Sequence, residues 1–180
     1  MKNINLSKYC NSKGLTNKQN FFHGNLTPAG SSIPNNSGIK SVSSQKSGMN
    51  YKLIKGEKDN IECQGQIIKF QQSSACQSIG IIGVGIYGDF TERLIIEDVS
   101  GSKNYIEAHF SDFTHNPPYF KENFCIFSSD YLYSSDSNEL EIYGCTGSLW
   151  EQVILVDTLN ISSLKLPDNP CIHIFAISIL

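Results

Sequence analysis

The chain has 180 residues, with 14 Lys and Arg against 17 Asp and Glu and a formal net charge of −3 at pH 7. That length suits one domain with a core that needs no covalent staples, and a balance so near neutral, without a basic stripe, argues against a nucleic-acid partner. No stretch reaches the roughly 20 apolar residues of a membrane span, and Met1 to Gly14 has no continuous apolar centre of the kind a signal peptide needs, so no membrane partner is expected and the expected location is the cytoplasm, with secretion the alternative if a leader was removed.

Residues 1–50 are dominated by Asn, Ser, Lys and Gly. Within them, 27–50 is expected to be a long Ser/Asn-rich loop of a single domain spanning 1–180. Phe21 and Phe22 could pin this segment to a core. From Tyr51 onward short apolar runs alternate with turn residues. Ile61 to Phe70 is the first, with Gly65 a candidate bulge. Ser78 to Ile86 is the second, its glycines placed where neighbours approach closely. Phe90 to Asp98 alternates Phe90, Leu94 and Ile96 against Thr91, Arg93 and Glu97, Ser100 to Lys103 turns the chain, and Asn104 to Phe110 alternates again. This predicts a hairpin with one dry face. Further strands are expected at Phe124 to Phe127, Asp130 to Tyr133, Glu139 to Tyr143, Trp150 to Val156 and Ile161 to Leu166. After the turn residues Pro167-Asp168-Asn169-Pro170, the run Cys171 to Leu180 is apolar on both faces, the pattern of a strand covered on both sides. No segment carries a helical stripe of useful length. The fold class is therefore all-β, an antiparallel sandwich or barrel with little helix.

The six cysteines (10, 63, 76, 125, 145, 171) form no CxxC and no paired Cys/His spacing, which argues against zinc and for reduced thiols. Cys63, Cys125 and Cys171 sit in apolar runs and read as small buried hydrophobes. No cofactor is expected. The carboxylates Glu57, Asp59, Glu62, Asp89 and Glu92 are of the type that could hold a structural calcium ion, though their spacing matches no calcium loop and a solvated face is the default. No phosphate-loop, dinucleotide, nucleophile-elbow or zincin phrase occurs.

Several phrases together resemble a bacterial β-sandwich accessory module found beside glycoside hydrolase domains of α-galactosidase-like and fucosidase-like enzymes. Asp59 to Gln66 (DNIECQGQ) is similar to one of its phrases. Phe110-Ser111-Asp112-Phe113 is similar to its "FSDW", and Leu166 to Ile177 (LPDNPCIHIFAI) to its closing strand. Tyr9 to Leu15 and Phe22-His23-Gly24 match its opening more loosely. The resemblance implies a galactose-binding-like or jelly-roll sandwich of non-catalytic character, with residues 1–50 part of the fold.

Two residues stand out for chemistry. His173 lies in the closing strand, as a satisfied core histidine or a pocket wall, and Asp112 lies at a loop start, where a turn role is the default. As neighbours they could serve acid–base work. For binding, sugars offer flat CH faces to aromatic rings and hydroxyls to polar groups. Trp150, Tyr119-Phe120, Tyr131, Tyr133 and Tyr143 are the aromatic candidates, with core filling the default for Trp150 and Tyr143. His115 to Tyr119 is the better exposed loop. The expected ligand-binding set is thus Asp112, His115, Tyr119, Trp150 and His173, in a non-catalytic module that binds carbohydrate. The alternatives are a structural or interaction domain that self-associates as a homo-oligomer, and a small jelly-roll enzyme using His173 and Asp112.

Overall fold

The computed structural model describes residues 1–135 and 140–180, the side chains of 71–74 and 158–159 excepted. It is an antiparallel β-sandwich whose one helical element among the described residues is a 3-10 turn at Phe21–His23. The described residues form twelve strands in order: β1 (Lys2–Asn3), β2 (Leu15–Thr16), β3 (Ser31–Pro34), β4 (Ser41–Ser43), β5 (Asn50–Lys52), β6 (Ile61–Glu62), β7 (Ile67–Gly85), β8 (Phe90–Asp98), β9 (Lys103–Phe110), β10 (Phe124–Ser134), β11 (Glu141–Lys165) and β12 (Ile172–Ile179). The main sheet runs β1-β12-β7-β11-β10-β3-β2, with β6 also paired to β12 and the β8–β9 hairpin joined to β11.

The strand β12 explains the plan. All eight of its residues are buried, because each of its faces meets a different core. Ile172, Ile174, Ile177 and Ile179 join β7 residues Ile79 and Ile81 and the hairpin residues Leu94, Ile96, Ala108 and Phe110. Phe175 and Ala176 join Ile82 and Val84 of β7 with Leu15, Leu26, Ile33, Met49, Tyr51 and Leu53 of the N-terminal third. A register shift between Ile174 and Ala176 marks a bulge. The extra residue puts Phe175 and Ala176 on one face and returns the following isoleucines to the first core. On its outer side β12 meets only the two-residue strands β1 and β6, which cover part of an edge that would otherwise be long and apolar.

The predicted hairpin is present, from Phe90↔Phe110 to Glu97↔Lys103. Its turn is built on Asp98, whose Oδ1 accepts the amides of Ser100 and Ser102 at 2.8 and 3.0 Å. The glycines of β7 do sit where neighbours crowd. A Cβ on Gly80 would strike Tyr51 Oη and Met49 Sδ, and one on Gly83 would lie 2.9 Å from the Phe110 ring.

Several expectations change. The separate runs 61–70 and 78–86 become the short β6 and the 19-residue β7, and 124–127 and 130–133 merge into β10. The runs at 150–156 and 161–166 merge into the 25-residue β11. Polar residues that suggested strand ends lie at bulges, between Leu155 and Leu159 and between Ile161 and Ser163, so the ladder continues past them. Of the expected strand 139–143, Glu139 lies outside the described residues and β11 begins at Glu141. Residues 27–50 hold β3, β4 and the first residue of β5 instead of one uninterrupted loop, and Ile33 and Met49 are core residues. All six cysteines are free thiols. Cys63 is buried as expected, whereas Cys125 is exposed and Cys171 half-buried, because Cys125 lies at the open start of β10 and Cys171 precedes β12, at the margin of the second core.

Candidate functional site

The β10–β11 hairpin places Tyr131 directly opposite Tyr143, and Tyr133 opposite Glu141. The rings of Tyr131 and Tyr143 lie 5.4 Å apart at 37°, and Tyr133 meets Tyr131 edge-on at 5.5 Å. Tyr133 is buried, Tyr131 half-buried and Tyr143 70 % exposed, so the three rings step from the core out to solvent. Phe21 packs at 6.1 Å from Tyr133, with Phe22 beside it.

Polar groups frame this platform. The Asn36 amide donates to Tyr131 Oη at 2.8 Å, and Tyr133 Oη donates to Asn36 Oδ1 at 3.0 Å. Tyr143 Oη donates to Glu141 Oε2, and Lys18 Nζ reaches Glu141 Oε1 at 3.3 Å. The hydrogen bond from Tyr143 and the Lys18 charge hold the Glu141 carboxyl below its ordinary pKa. Burial, reinforced by Tyr131, pushes Tyr133 up to about 12. The platform therefore sets the phenols of Tyr133 and Tyr143 beside the Glu141 carboxylate.

A polar cleft of about 180 Å³ shares the same two loops, 16–20 and 35–38. Its base is the buried pair Lys13–Asp59, Nζ to Oδ2 at 3.0 Å. Lys13 also donates to the Gly56 carbonyl at 2.9 Å, and Asp59 accepts the amides of Gly14 and Leu15 at 2.8 and 3.1 Å. Asn17, Asn20 and Asn35 line its walls. The Lys13 ammonium and the two backbone amides, with the Asn60 side-chain amide as a fourth donor, keep the Asp59 charge satisfied out of water.

The network runs inward to His173. Asn60 Nδ2 donates to Asp59 Oδ1 at 2.9 Å, which leaves Asn60 Oδ1 as an acceptor facing His173 Nδ1 at 2.7 Å. The Nδ1 proton is thereby fixed, and Nε2 carries a lone pair with no partner among the described residues. Burial pushes the ring's pKa down to about 4.

Asp112 is committed elsewhere. Its Oδ2 accepts the Gly88 amide at 2.8 Å, and its Oδ1 accepts the amide and hydroxyl of Thr114 at 2.8 and 2.7 Å. No hydrogen bond or ion pair joins it to His173 among the described residues, so the imagined acid–base couple is not assembled. Trp150 is 2 % exposed and donates Nε1 to the Asp112 carbonyl at 3.0 Å. The tryptophan thus anchors the loop that carries Asp112 and His115. His115 Nδ1 lies 3.2 Å from Asp89 Oδ1, and Tyr119, 69 % exposed, stands edge-on to Phe120 at 5.0 Å. The five expected binding residues therefore do not form one pocket, since Trp150 and His173 are closed to solvent and only His115 and Tyr119 reach it. The acidic residues weighed for calcium are likewise dispersed, with Asp59 on Lys13, Asp89 on His115 and Glu92 on Asn169. No cluster of three or more such ligands occurs among the described residues.

Sequence reasoning named Tyr131 and Tyr133 but assigned Tyr143 to the core, and it passed over Asn36, Lys18 and Lys13. The spacing Tyr131-x-Tyr133 on one strand face was the available signal. The cross-strand partner and the loop residues carry no local mark.

One comparison bears on the whole chain: the family model described as the AziU2-like beta-sandwich domain matches residues 1–180. No curated protein matches the chain.

Proposed function

The chain belongs to the AziU2-like β-sandwich domain family, and on that premise we propose that it is a non-catalytic carbohydrate-binding module working through the tyrosine platform. The observation that carries this reading is the Tyr131–Tyr143 pair, framed by an amide and a carboxylate. A sugar ring laid on Tyr143 would meet an aromatic face, while its hydroxyls reach Asn36 and Glu141. The polar cleft behind, with Asn17, Asn20 and Asn35 on its walls, suits a second sugar unit. An accessory role beside glycoside hydrolases belongs to the same proposal. Its support is the pair of phrases DNIECQGQ and LPDNPCIHIFAI, the first of which supplies Asp59 and Asn60 to the cleft and its network.

The test is a glycan array followed by titration calorimetry with galactose- and fucose-type sugars. Saturable binding is expected, weakened about tenfold or more by Tyr143→Ala, which amounts to a loss of roughly 1.4 kcal/mol or more. Thermal stability should be unchanged, because the ring is mostly in water. Tyr119→Ala, on a separate surface, should bind as the parent does. Binding lost in Tyr119→Ala and kept in Tyr143→Ala would move the site and refute the platform. A chain that binds neither sugar but dimerises, and loses the dimer in Tyr143→Ala, would replace this reading with self-association.

A further inference from the structure

Away from the platform, β11 carries a carboxylate where a core residue would be expected. Glu151 pairs in register with Phe124 of β10 and Ile82 of β7, and it is 2 % exposed. Its Oε1 accepts hydroxyls from Ser47 and Tyr51 at 2.6 and 2.7 Å, and its Oε2 accepts Ser44 at 2.5 Å. No Lys, Arg or His lies within ion-pair reach of it among the described residues. A carboxylate has about four acceptor sites, so three hydroxyls leave one of them open and the charge itself unmatched. A buried charge without a partner of opposite sign is costly.

Glu151 is among the residues that line an open cleft of about 490 Å³, together with Ser47, which bonds its carboxylate. The walls are apolar: Met49, Phe124, Val153, Leu155 and Leu180. Three of them are large side chains left in water, with Leu155 82 % exposed and Phe124 and Leu180 also exposed. The rim bears Lys46 and Glu122, so the cleft's formal charge with Glu151 ionised is negative. Lys46 does not neutralise Glu151, because its ammonium rests over the Phe124 ring, 5.3 Å from the centroid. A cation is thus already held on the wall, on an aromatic face suited to one.

The geometry points to a binding site for a small organic cation, a primary ammonium on an apolar body. The ammonium donates to Glu151 at its open acceptor site and supplies the missing charge. The hydrocarbon lies against Phe124, Val153, Leu155 and Leu180 and removes their surface from water. Lys46 competes for the same position as an internal cation. This site is independent of the tyrosine platform, so either proposal can fail without the other.

The test is titration calorimetry of the full chain with hexylammonium and, as a neutral isostere, 1-hexanol. Hexylammonium is expected to bind saturably and at least about tenfold more tightly than hexanol. Glu151→Gln, which keeps the shape and an acceptor, should abolish that preference. Leu155→Ser, at an exposed position that leaves the fold intact, should weaken both probes several-fold, and it carries the test if Glu151→Gln does not fold. Lys46→Met should tighten hexylammonium binding, because the competing cation is gone. Equal affinity for the two probes, no binding of either, or weaker binding in Lys46→Met would overturn the assignment. A dimer that dissociates on adding hexylammonium would hand the cleft to a lysine of a second copy and overturn it too.

Discussion

Acid should unfold this protein through His173 in a way that one substitution isolates. The ring is fully buried, its Nδ1 proton is spent on Asn60, and its Nε2 faces no partner among the described residues. Burial lowers its pKa from 6.5 to about 4. Below the ordinary value the unfolded chain therefore takes up a proton that the native chain refuses. The stability at stake is complete above that value, is lost as the pH falls toward the native one, and does not return below it. At roughly 1.4 kcal/mol per pH unit the gap corresponds to about 3 kcal/mol. Against a total of about 5–15 kcal/mol for a domain, that is a large fraction. The assay is urea unfolding at a series of pH values from about 7 to about 4, read from the fluorescence of Trp150, the only tryptophan. The comparison is His173→Asn, whose amide can donate near the Nδ1 position but does not titrate. The variant should start less stable, by about 1–3 kcal/mol for the lost ring packing, and then lose about 3 kcal/mol less than the parent on acidification. Carboxylates that titrate in both chains cancel in the difference. Two curves that fall in parallel would refute the reasoning and show that His173 takes up its proton without unfolding.

Two further outcomes test the packing. Gly80→Ala drives a methyl into Tyr51 Oη and Met49 Sδ, and Tyr51 is held in place by Glu151. A loss of about 1–3 kcal/mol in the same urea assay is expected, and an unchanged midpoint would show that the second core yields there. A thiol reagent at mildly alkaline pH should label the exposed Cys145 in the native protein but reach Cys63 and Cys76 only on unfolding. Both of the latter are buried, and burial pushes their thiols up. Native labelling of all six would contradict the fold.

The parts of the fold that were legible in the sequence are those where neighbours along the chain settle the environment. The β8–β9 hairpin alternates because one face packs Leu94, Ile96, Ala108 and Phe110 while the other stays wet. The closing strand reads apolar throughout because two cores meet on it. The lengths of β7 and β11 were hidden by bulges and by a change of partners: β11 pairs with β10 at its start and with β7 and β8 at its end. A local pattern cannot record that exchange. The first fifty residues hid their order for another reason. Their asparagines replace backbone partners with side chains. Asn11 exchanges two bonds with Glu62, its Oδ1 accepting the amide at 2.7 Å and its Nδ2 donating to the carbonyl at 3.1 Å. Asn35 does the same with Ile39 at 2.9 and 3.2 Å. A composition that suggested a loose loop is thus the means by which short strands are tied down.

The same logic governs the site. Trp150 and Tyr143 lie on one strand and looked alike, yet one is core and the other surface. Trp150 stands in register with Gly83 and packs in the second core, and its indole N–H finds the Asp112 carbonyl. Tyr143 stands in register with Tyr131, so two large rings meet where one would have to leave the core. The outer ring is left in solvent, supported by its partner and tied to Glu141. Glu151, on the same strand, takes a third course: it is buried like the tryptophan, but among the described residues its carboxylate is met by the hydroxyls of Ser44, Ser47 and Tyr51 and by no cation. What separates the three residues is what each side chain meets across the strands, and the groups left unanswered on β11 are where ligands are to be sought.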